Sequence, residues 1–284
     1  MNDPLSHGRF ARLRIGEILI AQGKLTPDQA SEVAKRGVES KMLFGEAAVS
    51  LGFVSERDIS QAIDLRETPS GPRARPHRDR IAILDRPHSR MATDLKRLAK
   101  ALAVRWFADT PRQPALSVIS AQPSEGRTTL AVNLACIFAM GGARTLLVDG
   151  DLENPQLHSF FDLGQADVSD HASAHQVAPI YYAVDSIDQL AIMPANELTK
   201  LGGGDLMALP LHRIIELNAD RFDTIFVDTS AASRSNDFLL AAQATRGALV
   251  VSRGGITRTR PTIKMLDACD DAGIKIVGGT MIAD

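Results

Sequence analysis

The sequence predicts an α/β protein: a parallel sheet covered by helices on both faces, preceded by a small all-α domain built from two repeats. Three observations carry this. From Ala115 onward, short apolar runs alternate with helical patterns, and near-continuous apolar strands are those of a parallel sheet buried on both faces. The junction from Ala115 to Thr129 reads as strand, tight polar loop, helix, an arrangement that points backbone N–H groups at an anion. Residues 14–66 repeat themselves at a spacing of 29 residues, with Gly16 and Gly23 answering to Gly45 and Gly52.

Composition narrows the class. A chain of 284 residues with 44% hydrophobic content has room for a full α/β domain and a small second one. The net charge of −2 gives no electrostatic sign of a nucleic-acid binder. Cys136 and Cys269 sit in helical patterns at a spacing that matches no metal motif, so both are expected as reduced core thiols. Residues 1–13 lack the apolar segment of a signal peptide, and no run is long enough to cross a bilayer. The expected location is cytoplasmic, with any placement at the inner membrane made through a partner.

Taken in order, each repeat reads as helix, Gly stop, N-cap, helix. Thr26 before Pro27 and Ser55 before Glu56 are the caps, and the second helices run over 28–35 and 56–65. Residues 1–66 form this helical domain. Residues 67–90 hold Pro69, Pro72, Pro76 and Pro87 among six arginines and read as a solvated linker, with 81–84 as a short strand or docking segment. A domain over 91–284 follows. It opens with an amphipathic helix over 91–107, carrying Leu95, Leu98, Leu102, Val104 and Trp106. Strands are expected at 115–120, 144–149, 190–193, 224–228, 248–251 and 275–277, and helices at 128–140, 206–217 and 261–272. Residues 164–186, with few apolar anchors, are expected as a mobile loop that contains Tyr181 and Tyr182.

The loop between the first of these strands and its helix runs from Ser120 to Gly126. It departs from Gly-x4-Gly-Lys-Ser/Thr: Ala121 replaces the first Gly, and Arg127 replaces the Lys. Gly126 is kept where backbone must approach phosphate closely, and so is Thr128, the hydroxyl expected on a divalent cation. Two further strands end in carboxylates, Leu146-Leu-Val-Asp149-Gly-Asp151 and Ile225-Phe-Val-Asp228. An Asp ending a buried strand is costly without a charge to meet. Beside a phosphate loop that charge is Mg²⁺ on the phosphates, with Asp228 near the metal and Asp149 or Asp151 able to orient or deprotonate the attacking group. A helix N-cap is the structural alternative for any one of them.

Residues 115–280 resemble the MinD/ParA-like P-loop ATPases and, within them, the bacterial tyrosine kinases of capsule and exopolysaccharide systems. The motifs are residues 124–135, 146–155 and 222–229. The N-terminal repeat is similar to the N-terminal domain of type II secretion ATPases. With Arg105-Trp106-Phe107 it points to the chain length determinant protein tyrosine kinase subgroup, the EpsG-like proteins. The resemblance implies a P-loop NTPase domain using ATP and Mg²⁺. It places Ser124, Glu125, Gly126, Arg127, Thr128 and Thr129 around the phosphates, and Thr128, Asp149 and Asp228 at the metal. Asp149 is the implied base for a tyrosine hydroxyl, assisted by Asp151, with Arg127 catalytic. The implied partner is the cytoplasmic tail of a membrane polysaccharide co-polymerase that sets chain length, and a homo-oligomer is implied with it. In some relatives of the repeat the ligand is cyclic di-GMP, through a basic residue and a Gln; here Arg14 fits, while Leu43, Gly37 and Arg66 stand at the other positions. The chain also departs from the kinase pattern. Glu153 stands where an Arg is usual, Ser230 where a Pro is usual, and Ile282 where an Asn contacts adenine; Tyr181 and Tyr182 are its only tyrosines, so it has no tyrosine cluster. Two readings follow: an ATP-dependent tyrosine kinase, or a nucleotide-operated switch or scaffold for a co-polymerase. A cyclic di-GMP-sensing module is the third.

Overall fold

The computed structural model describes residues 15–21, 23–40, 42, 44–59, 72–108, 115–163, 180–201, 208–219 and 221–283. The chain divides into two compact units, residues 1–70 and 71–284.

In the first unit, helices α1 (Ile15–Ala21), α2 (Pro27–Ser40) and α3 (Phe44–Ser50) pack around Leu19, Leu25, Val33, Ala47, Ala48 and Val54. The repeat is visible atom by atom. Gly23 and Gly52, at φ +69° and +71°, end equivalent helices in the left-handed region that glycine tolerates. The caps are reciprocal boxes. Gln29 N donates to Thr26 Oγ1 while Thr26 N donates to Gln29 Oε1; Asp58 N donates to Ser55 Oγ while Ser55 N donates to Asp58 Oδ2. Gly16 lies under the Phe44 ring and Gly45 under Ile59, so both units pack helix against helix at a residue without a side chain. Arg14, Leu43 and Arg66, named above for a dinucleotide, lie outside the described residues.

The second unit is built on a nine-stranded sheet: β1 (Arg73–Pro76), β2 (Ala115–Ile119), β3 (Thr145–Asp149), β4 (Phe161–Leu163), β5 (Tyr182–Val184), β6 (Leu190–Met193), β7 (Thr224–Asp228), β8 (Gly247–Arg253) and β9 (Lys275–Ile282). The order across it is β4-β1-β5-β6-β3-β7-β2-β8-β9. From β6 to β9 every pairing is parallel, and every residue of β2, β3, β6 and β7 is buried. The six strands read from the apolar runs are this parallel core. Antiparallel pairs, β4 with β1 and β5 with β6, extend it on one side.

Helix α4 (Ala82–Asp85), α5 (Arg90–Leu102) and α6 (Arg127–Met140) lie on the core that includes Leu130, Leu134, Leu147 and Phe226. Helices α7 (Ala195–Leu201), α8 (Ala208–Asn218), α9 (Asp237–Thr245) and α10 (Thr259–Asp271) complete the alternation with the strands. α5 continues into a π-turn, Ala103–Phe107, that buries Trp106; its indole Nε1 donates to Ala115 O at 3.0 Å. Phe107, Phe138 and Phe226 meet edge to face at centroid distances of 5.1–5.5 Å and tie this turn and α6 to the sheet.

Two expectations are corrected here. The Pro/Arg-rich stretch expected as a linker over 67–90 is folded from Pro72 on. Arg73–Pro76 is a strand inside the sheet, and 81–84 belongs to a helical turn rather than a strand. Its arginines stay outside while Ala74, Ile81 and Ile83 are buried, so a few inward side chains suffice to hold a segment that looks solvated. Ile83 N donates to buried Asn133 Oδ1 at 3.0 Å, and Asn133 Nδ2 donates to Thr129 O at 2.8 Å. The stretch therefore braces the first turn of α6. The expected mobile loop is corrected likewise: residues 180–186 are ordered into and after β5, with both tyrosines buried, while 164–179 lie outside the described residues. Tyr181 packs with Phe222 and the Arg221 guanidinium, and its hydroxyl accepts from Asn218 Nδ2 at 2.7 Å.

Candidate functional site

The site lies at the carboxyl ends of β2, β3 and β7, where ligands bind in parallel sheets. β2 delivers the loop 120–126. Ser124 and Gly126 take left-handed backbone, φ 63° and 93°, which curls the loop before α6 begins at Arg127. Glycine suits 126 because its φ of +93° is one that side chains rarely adopt; a Cβ there would also crowd the movable end of Ile282 of β9.

The loop is wired internally. Glu125 is wholly buried and accepts from Gln122 N at 2.7 Å and from the Thr257 hydroxyl. Thr257 Oγ1 in turn accepts from Arg253 N at 2.7 Å, and Arg258 N donates to Gln122 Oε1 at 3.2 Å. Arg127 folds inward. Its Nε donates to Thr229 O at 2.8 Å, and Nη1 donates to Gln122 O at 2.9 Å and to Ser120 Oγ. Burial lowers its pKa, while Asp228, Asp151 and Glu125 oppose the shift. Arg127 is thus a brace between the loop and the end of β7, surrounded by carboxylates. Ser124 is exposed, and Thr128 and Thr129 are half-buried in the first turn of α6.

Asp149 and Asp228 end neighbouring strands in direct register. Asp149 accepts three backbone amides, from Asp151 at 3.3 Å and from Gln156 and Leu157 at 3.2 Å each, which folds residues 151–157 back over the strand end. Burial still pushes its carboxyl up to about 6. Asp228 accepts from Thr229 N through Oδ1 and interacts with the Thr128 hydroxyl; burial first, then the Asp149 charge, push it up to about 7. Asp151 is buried and accepts from Asn154 N, three residues on, at 3.0 Å. The close approach of β3 and β7 needs Gly150, since a Cβ there would meet Asp228 O at 2.6 Å.

Asp228 Oδ2 and Ser230 Oγ are buried with no hydrogen-bond partner. Buried polar atoms left unpaired are expensive, and native chains keep them where a ligand completes them. An orphan carboxylate oxygen beside a second carboxylate and a threonine hydroxyl, all oxygen donors, fits Mg²⁺. Among the described residues no group of three His, Cys, Asp or Glu could hold a metal by itself, so phosphate and water oxygens would have to complete such a site. The sequence pointed to Arg127, Thr128, Asp149, Asp151 and Asp228, and the fold brings them together. It gave no sign of Thr257, and it marked Ser230 only as a departure from the kinase pattern.

A strand-to-helix loop backed by strand-end carboxylates is the architecture of the P-loop NTPase fold. No family model matches the chain. Its relatives are bacterial tyrosine-protein kinases. It is 21% identical to the tyrosine-protein kinase Ptk of Acinetobacter johnsonii over 237 residues, 80% of this chain and 32% of that one. It is 27% identical to the succinoglycan biosynthesis transport protein ExoP of Rhizobium meliloti over 200 residues, 69% of this chain and 25% of that one. With the tyrosine-protein kinase CpsD of Streptococcus pneumoniae it shares 26% over 165 residues, 57% of this chain and 73% of that one. The chain therefore spans about a third and a quarter of the length of the first two. The kinase domain of the Escherichia coli tyrosine kinase Etk has the same fold, with a TM-score of 0.58 at 19% identity over 72% of this chain and 79% of that one. Among the described residues no helix is long and apolar enough to cross a membrane.

Proposed function

We propose that the chain binds Mg·ATP at the loop 120–129 and transfers the terminal phosphoryl group to a tyrosine of another protein. The acceptor we favour is the cytoplasmic tail of a membrane co-polymerase that sets exopolysaccharide chain length. The observation that carries the nucleotide reading is the orphan Asp228 oxygen beside Asp149, at the mouth of an anion-binding loop. Bound Mg²⁺ would neutralise charge on the outer phosphates. Asp228 and the Thr128 hydroxyl would hold it, and backbone N–H groups of 124–129 would bind the phosphates. Asp149, whose carboxyl burial pushes up to about 6, would accept the phenolic proton as the oxygen bonds to phosphorus. The tyrosine oxygen then forms the new P–O bond as the bond to the ADP oxygen breaks.

The similarity to ExoP, named for succinoglycan biosynthesis transport, supports the exopolysaccharide setting. The burial of Tyr181 and Tyr182, 7% and 6% exposed, supports an acceptor in trans, because Tyr182 lies in β5 between β1 and β6 and the Tyr181 hydroxyl is bonded to Asn218. Calorimetry with Mg·ATP on the wild type, Asp149→Ala and Asp228→Ala tests the first half. A phosphotyrosine assay with the candidate tail tests the second. Wild-type binding lost in Asp228→Ala, with phosphate on the tail and none on Tyr181 or Tyr182, is the expected result. Binding without transfer would leave a nucleotide-operated switch, and no binding would sink the nucleotide reading.

A further inference from the structure

The wiring of the loop leaves an electrostatic deficit. A nucleotide brings several negative charges to a site that already holds Asp149, Asp151, Asp228 and Glu125. Arg127 is the cation in the loop itself, but its guanidinium is spent. It donates to Thr229 O, Gln122 O and Ser120 Oγ, and it is only 8% exposed. Pulling it out toward a phosphate would cost Thr229 O its guanidinium donor and leave the carboxylates around it without their cation.

The segment after β7 supplies another cation. Residues 231–235 are tied to the opening of the loop by two backbone bonds, Ala232 N to Ser120 O and Ser233 N to Ala121 O, each 3.0 Å. They then turn tightly, with Arg234 N donating to Ala231 O at 2.8 Å. Arg234 rides on that turn. It is exposed, close enough for its charge to disfavour the charged form of Arg127, and engaged in no ion pair or side-chain hydrogen bond among the described residues. Its segment leaves the sheet from the strand that ends in Asp228, the carboxylate that with Thr128 marks the metal side of the site. Thr257 and Ile282, reaching the loop from beyond β8 and from β9, mark the opposite side. A metal held by Asp228 and Thr128 would lie against the outer phosphates, so the Arg234 side would be the side of the terminal one.

We infer that Arg234, fixed beside the loop by the 231–235 turn, binds the terminal phosphate of the nucleotide and so makes the site prefer triphosphate to diphosphate. Arg127 holds the loop in shape, and Arg234 reads the ligand. The inference rests on the nucleotide reading above. A planar guanidinium can give two parallel bonds to a phosphate, which an ammonium cannot.

The test is calorimetry on the full chain with Mg²⁺ and either ADP or the non-hydrolysable adenosine 5′-(β,γ-imido)triphosphate. Wild type, Arg234→Ala, Arg234→Lys and the distant surface variant Arg213→Ala are compared, with thermal melts to confirm that each is folded. Arg234→Ala should weaken the triphosphate about tenfold, the loss of one charge-assisted contact, and leave ADP within about twofold. Arg234→Lys should recover part of the loss, and Arg213→Ala should match wild type. Equal weakening of both nucleotides, or no change in either, overturns the inference while leaving the nucleotide reading intact. A wild-type chain that binds neither overturns both.

Discussion

At the scale of the residue, Asp228 is the most consequential side chain. Its carboxyl stands at about 7 and that of Asp149 at about 6, both above the ordinary value of 3.8, with burial the first cause in each. The folded chain therefore holds protons that the unfolded chain has released. The stability these two groups contribute is complete below about pH 4 and is lost as pH rises through 6 and 7. Asp228→Asn removes the buried charge and keeps the shape. Urea unfolding of the free protein at pH 8 should show the variant more stable than wild type by at least about 1 kcal/mol, with the gap closing toward pH 4. Added Mg·ATP should raise the wild-type midpoint at pH 8 and leave the variant's unchanged. A variant that is less stable at pH 8 would mean that Asp228 is already paired in the free protein. The carboxylates were legible in the sequence because an Asp that closes a run such as Thr224-Ile-Phe-Val breaks the pattern of its own strand. The direction of Arg127 was not. A guanidinium one residue before Thr128 can reach outward or inward, and only the carbonyls of Gln122 and Thr229 decide for inward.

At the scale of the element, the site is held by contacts between connections more than by the strands themselves. Glu125 of the phosphate loop is tied to Thr257, and Gln122 to Arg258, so the turn before α10 is fastened to the loop before α6. Thr257→Val keeps the branched shape and removes the hydroxyl. That leaves the buried Glu125 carboxylate short of one donor. Denaturant unfolding should show a loss of about 1–3 kcal/mol, and nucleotide affinity should fall with it as the loop loosens. An unchanged midpoint would show that water replaces the hydroxyl at no cost. No sequence pattern joins residues so far apart. The same limit explains the missed strands. β1 reads Arg-Ala-Arg-Pro, with one buried side chain of consequence, Ala74, and β4 and β5 have three residues each. Strands this short carry too little periodicity to be seen; they form because the neighbouring strand presents a free edge. The core strands were legible because short, nearly unbroken apolar runs such as Leu146-Leu-Val148, Ile225-Phe-Val227 and Ala248-Leu-Val-Val251 have few other uses.

At the scale of the molecule, the second compact unit begins where the sequence is least informative, in a stretch whose composition suggests solvent. Its arginines do face solvent, but Ala74 and Ile81 are fully buried and Ile83 is 2% exposed. Ile83 N also reaches Asn133, whose amide in turn holds Thr129 O at the start of α6. Where the second unit begins is therefore testable by truncation. A chain that starts at Gly71 keeps β1, α4 and the Asn133 brace and is the reference. A chain that starts at Met91 loses them. It uncovers Phe161 and the β5 edge and leaves the Asn133 carbonyl buried and unpaired, for a loss of roughly 3–5 kcal/mol from apolar burial and hydrogen bonding together. Its affinity for Mg·ATP should fall as well, because the first turn of α6 carries Thr128. If the Met91 chain unfolds and binds like the Gly71 chain, the 72–90 stretch is a linker after all and its strand contributes nothing to the site. If it is weaker in both, the arginine-rich stretch is part of the nucleotide-binding domain, and its outward-facing arginines are surface features of that domain rather than of a tether.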